Sequence, residues 1–136
     1  MVLMVCMLYS LLIVYAYIPE ETISLRVLQT DSDQYFQHDG NRVIYQLLSE
    51  LSVKKPNLIL IHGFGNSLGT WESLAPKLSK AFNVYAIDML GFGLSEKPVQ
   101  YQYTNANQAS VIQSFAEVMG FDSFIVGGHS LGGAIA

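Results

Sequence analysis

The sequence predicts an α/β fold: a parallel sheet flanked by helices and led in by an N-terminal hairpin. Three observations carry this. Apolar, strand-like runs alternate with helical patterns from residue 58 to residue 136. Before them, Asp39-Gly40-Asn41 separates two β-prone runs. The last thirteen residues, Phe124 to Ala136, read as a strand entering a sharp turn and leaving as a helix, with Ser130 at the apex.

At 136 residues the chain holds at most one domain, and with 51% hydrophobic residues it has ample material for a buried core. A net charge of −4 with no basic patch argues against nucleic acid as a partner. The lone Cys6 can form no intrachain disulfide. No cluster of side chains has metal-like spacing, so neither a metal nor an organic cofactor is expected.

Residues 1–18 are apolar apart from Ser10. As a helix this block would measure about 27 Å, close to the roughly 30 Å hydrocarbon layer of a bilayer. Pro19-Glu20-Glu21 stops it. A transmembrane anchor, a cleaved secretory signal and a buried helix compete for the segment. No basic residue precedes it and no clear small-x-small site follows, which disfavours the signal. A helix apolar on every face would rarely be buried in so small a domain. An uncleaved anchor is therefore favoured over a signal cleaved on secretion. Residues 19–33 read as a linker, and 34–136 as the folded part.

In that part, Tyr35 to His38 and Arg42 to Leu47 flank the Asp-Gly turn, a hairpin signal because the turn needs positive φ. His38 is read as a surface strand residue remote from any chemistry. Leu58 to Ile61 is a continuous apolar run, the mark of a strand covered on both faces. Thr70 to Leu78 has helical spacing, with Trp71, Leu74 and Leu78 on one face, but Pro76 should make the element irregular or restart it. Asn83 to Ile87 is the next strand, ending at Asp88. Thr104 is the expected N-cap of a helix reaching Met119, with Ala109, Ile112, Phe115, Ala116 and Met119 as its apolar stripe and Gly120 as its stop. Ser123 to Val126 is the last strand.

Ser130 stands between Gly128 and Gly132 in the pattern G-x-S-x-G. A serine at such a corner is strained, and bulky side chains two residues away on either side would collide. With this nucleophile elbow the chain resembles the α/β-hydrolase family, and the resemblance runs from about Tyr35 to the C-terminus. It implies an α/β-hydrolase fold, incomplete here: the hairpin plus parallel βαβ units up to the elbow, preceded by the apolar helix. His62-Gly63-Phe64 then looks like the family's oxyanion loop, with the backbone N–H groups of Phe64 and Leu131 as donors. The resemblance makes His62 a brace for that loop. His129 is too close to Ser130 in sequence to fold back as its base and is read as packing beside the elbow.

Asp88 opens Asp-Met-Leu-Gly-Phe-Gly-Leu-Ser, also a family pattern. Asp88 and Ser95 are read as structural, because the family's triad acid follows the nucleophile. A strand followed by Gly63-x-Gly65 also mimics a dinucleotide-binding unit, but Gly69 falls one position beyond the G-x-G-x-x-G register.

A serine hydroxyl needs a positioned base. Six residues follow Ser130, none of them acidic or histidine. The triad acid and histidine are thus absent from this chain, which is expected to be the N-terminal portion of a longer hydrolase and inactive alone. The function expected of the complete protein is hydrolysis of a carboxylic ester or lipid through an acyl-enzyme on Ser130. A carbon–carbon bond hydrolase of the same fold and a catalytically dead, membrane-tethered fragment are the alternatives.

Overall fold

A computed structural model describes residues 30–136. The anchor or signal read into residues 1–18 lies outside the described residues, as does most of the 19–33 linker. Among the described residues no helix is long and apolar enough to cross a membrane.

The chain runs through β1 (Gln34–His38), β2 (Asn41–Leu47), β3 (Asn57–Ile61), a 3₁₀ turn (Leu68–Trp71), α1 (Ala75–Leu78), β4 (Asn83–Ile87), α2 (Asn105–Val118), β5 (Ile125–Gly128) and α3 (Leu131–Ile135). The five strands form one mixed sheet in the order β1-β2-β4-β3-β5. β1 pairs antiparallel with β2, and β2 with β4. β3 pairs parallel with β4 on one side and β5 on the other. The hairpin closes with both turn residues at positive φ, Asp39 at 49° and Gly40 at 77°, the geometry a two-residue turn between twisted strands requires.

Alternation along the strands divides the core. Val43, Tyr45, Ile59, Ile61, Tyr85 and Ile87 face α2 and α3, where Phe115 makes aromatic contacts with Tyr45 and Tyr85. Ile44, Leu58, Leu60, Val84 and Ala86 face Leu68, Trp71 and Ala75 on the opposite side. β3 is apolar at every position from Leu58 to Ile61 because it is covered from both sides.

The break expected at Pro76 is present: a 3₁₀ turn ends at Trp71 and α1 restarts with Pro76 in its first turn, where a missing N–H costs nothing. Two expectations need correction. The last strand is Ile125–Gly128, two residues later than expected, its bounds set by pairing with β3 from Leu58–Ile125 to Ile61–Gly128. His38 is buried, with its Nδ1 2.8 Å from the Ser114 hydroxyl on α2. It shares a strand face with Phe36, two residues before it, which packs into the same core.

Candidate active site

β3 and β5 end side by side, with Ile61 opposite Gly128. Their following loops therefore emerge together at the carboxyl edge of the sheet. Because β3 has β4 on one flank and β5 on the other, this is the point where strand order reverses, the usual place for a ligand in an open α/β sheet.

After β5 the chain turns through Ser130, whose φ of 53° and ψ of −116° lie outside the regions comfortable for an L-residue. Such a conformation costs on the order of 1–3 kcal/mol and persists only where the surroundings over-determine it. Two glycines do this. A β-carbon on Gly128 would overlap the backbone of Gly132 and Gly133, and one on Gly132 would overlap the carbonyls of Ile61 and His62. The His129 N–H donates to the Ile61 carbonyl at 3.1 Å, extending the β3–β5 ladder to the corner. α3 begins at once, with the Gly133 and Ala134 N–H groups donating to the Ser130 carbonyl at 3.0 and 3.2 Å. Ser130 itself is exposed.

The loop after β3 lies against this corner. An added β-carbon on Gly63 would sit 3.4 Å from the Ser130 Cβ and 3.1 Å from His129 Nδ1. Glycine at 63 is thus what allows the loop to approach so closely. The loop closes on an Asn66 N–H to Gly63 carbonyl bond of 3.2 Å, with Gly65 at φ 68°. Among the described residues, neither the Phe64 nor the Leu131 N–H has an intramolecular acceptor. The Phe64 side chain is 80% exposed and meets Phe92 edge-on at 5.5 Å.

His62 is buried, and both its ring nitrogens are engaged. Nε2 accepts from the Met89 N–H at 3.2 Å, so Nδ1 carries the proton and donates it to the Gly63 carbonyl at 2.8 Å. No lone pair is left to take a proton from Ser130. Asp88 is likewise tied to main chain: its carboxylate accepts from the Leu68 N–H at 2.6 Å and the Leu94 N–H at 2.7 Å. Burial raises its pKa above the ordinary carboxylate value, and the two N–H bonds oppose that rise. Ser95 accepts from the Ile44 N–H and donates to the Asp88 carbonyl. The structure thus brings together Ser130, His129, Gly63, Phe64 and Leu131, and ties Asp88 and Ser95 to the turn that follows β4.

Sequence reading missed a cleft of about 500 Å³ bounded by Phe64, Phe92, Tyr103, Gln108, Leu131 and Ile135. Two of its walls are the residues whose N–H groups are unengaged. Gln108 could have been found from its place on the buried face of α2, one position before Ala109. Tyr103 carries no such signal, because it lies in an irregular segment.

These features define an α/β-hydrolase. The family described as alpha/beta hydrolase fold matches residues 56–136, and the chain belongs to it. Among individual relatives, it is 36% identical over 101 residues to the 1-acylglycerol-3-phosphate O-acyltransferase ABHD5 of Mus musculus, covering 72% of this chain and 29% of that one. Against the mesoderm-specific transcript protein of Mus musculus the identity is 34% over 116 residues, covering 83% and 34%. A bacterial membrane phospholipase A described as a virulence factor superposes with a TM-score of 0.72 and 32% identity, over 99% of this chain and 45% of its own. The chain thus spans less than half the length of each.

Proposed function

We propose that this chain supplies the nucleophile and the oxyanion-binding amides of a serine hydrolase acting on carboxylic esters, including lipid esters. The observation that carries the reading is the strained, exposed Ser130, fixed by Gly128 and Gly132 beside a Gly63 loop whose next N–H is unengaged. Ser130 Oγ attacks the ester carbonyl and passes its proton to a histidine, which in this reading lies beyond residue 136 together with its orienting acid. The C–O bond breaks, the alcohol leaves with that proton, and the acyl group stays on Ser130. A water molecule then releases the acid by the same steps. The negative charge on the carbonyl oxygen rests on the Phe64 and Leu131 amides, each such donor being worth roughly 3–4 kcal/mol in the transition state.

Likeness to a protein named as an acyltransferase favours one variant of this chemistry, in which an alcohol rather than water accepts the acyl group. The proposal also keeps residues 1–18 as a membrane anchor, which would set the site beside lipid substrate. Likeness to a membrane phospholipase supports that arrangement. The test is a fluorophosphonate probe on the full-length protein. Wild type should be labelled and Ser130→Ala should not. A wild type that resists the probe as completely as the variant overturns the assignment.

A further inference from the structure

One wall of the cleft beside Ser130 is a single aromatic ring. Tyr103 lies so close to Gly91 that a β-carbon at residue 91 would sit 2.6 Å from the ring carbon Cε1. Its hydroxyl donates to the Pro98 carbonyl at 3.0 Å. Its ring meets Tyr101 edge-on at 5.0 Å, and Tyr101 is itself tethered by a 2.7 Å bond from its hydroxyl to the Asn107 carbonyl. The ring is therefore fixed from three directions, although the residue is 46% exposed. A free surface tyrosine could swing aside for a ligand. This one is held as a flat, rigid wall facing Phe64, Phe92 and Leu131.

We infer that Tyr103 determines substrate specificity by closing this cleft and limiting the length of apolar chain that can be buried there. The inference rests on the acyl-transfer reading, since the Phe64 and Leu131 amides assigned to the oxyanion belong to the same cleft. It adds a substrate class: esters carrying an unbranched apolar chain of short to medium length. Each methylene that enters such a cleft favours binding by about fourfold, until the chain meets the wall. Removing the ring should extend that gain to longer chains, and a larger ring should end it sooner.

The experiment is a chain-length series on the full-length protein with Tyr103→Ala and Tyr103→Trp. Two readouts are taken: kcat/KM for p-nitrophenyl butyrate through dodecanoate, and calorimetric binding of the matching carboxylates to Ser130→Ala backgrounds. The long-to-short ratio should rise about fourfold or more in Tyr103→Ala and fall by a similar factor in Tyr103→Trp. Opposite shifts cannot come from general loss of folding. If both variants keep the wild-type ratio in both readouts, or if no carboxylate binds at any length, the inference is overturned. If no ester is turned over but the binding ratio still follows residue 103, the cleft assignment stands and the acyl-transfer reading falls.

Discussion

Asp88 is buried at the end of β4, where its charge is disfavoured by burial and favoured by two backbone donors. Burial wins, so the folded protein holds this carboxyl above its unfolded value of about 3.9. A carboxyl raised by folding prefers its proton in the native state. Its contribution to stability is therefore full below about pH 4 and is lost as pH rises through the folded value. Asp88→Asn removes that titration but can accept only one of the Leu68 and Leu94 N–H bonds, leaving the other donor unmet at a cost of about 1–3 kcal/mol. The variant should be clearly less stable than wild type at pH 4, with the gap narrowing toward pH 7. Urea midpoints at the two pH values read this directly, and a constant gap contradicts it. The structural role of Asp88 was legible from the family resemblance, in which the triad acid follows the nucleophile. The burial of His38 was misread because a polar residue beside a turn looks like surface, and only its shared face with Phe36 says otherwise.

Among the elements, α2 follows its sequence signals closely. The Thr104 hydroxyl accepts from the Asn107 N–H at 3.1 Å, and the helix ends with Phe121 N–H bonded to the Ala116 carbonyl and Gly120 N–H to that of Glu117. That pair of bonds needs a left-handed residue, and Gly120 has φ 67°. Nothing lies within 4 Å of a β-carbon added there, so Gly120→Ala should cost only the torsional 1–2 kcal/mol, about the same in every context. Gly132→Ala differs in kind. Its methyl meets the carbonyls of Ile61 and His62 at the end of β3, which cannot yield, so it should cost at least the roughly 1–3 kcal/mol of an overpacked core and abolish Ser130 labelling. Denaturation paired with probe labelling separates the two: Gly120→Ala keeps its label, and retention of label by Gly132→Ala would contradict this account of the corner. Strand ends were less legible than helix ends. A helix carries its own caps, whereas β5 takes its bounds from its pairing register with β3, which appears nowhere in local sequence.

Across the whole molecule, the sheet of the described residues ends in the hairpin strand β1 on one side and in β5 on the other. β5 pairs only with β3 among the described residues, and Phe124 and Ile125 are partly exposed along it. An exposed apolar edge strand recruits other chains. The 136-residue chain expressed alone should self-associate, and Ile125→Lys should shift it toward monomer in sedimentation velocity. Equal association by the two proteins would place the contact elsewhere. The sequence made the sheet's apolar strands visible but not their spatial order, because β3 finds its second neighbour across the whole of β4 and α2. Nor did it reveal the Tyr103 cleft, which exists only once residues 64, 103 and 131 are brought together.

The pairing of β3 with β5 also bears on the order of assembly. The hairpin joins adjacent residues, whereas the β3–β5 pairing must close a long intervening loop before any bond is formed. The corner at Ser130 is cemented only by that late step. Pulsed hydrogen exchange during refolding should find the β1–β2 amides shielded first and those of β5 afterwards. The reactive serine is then withheld from its geometry until the scaffold around it is complete.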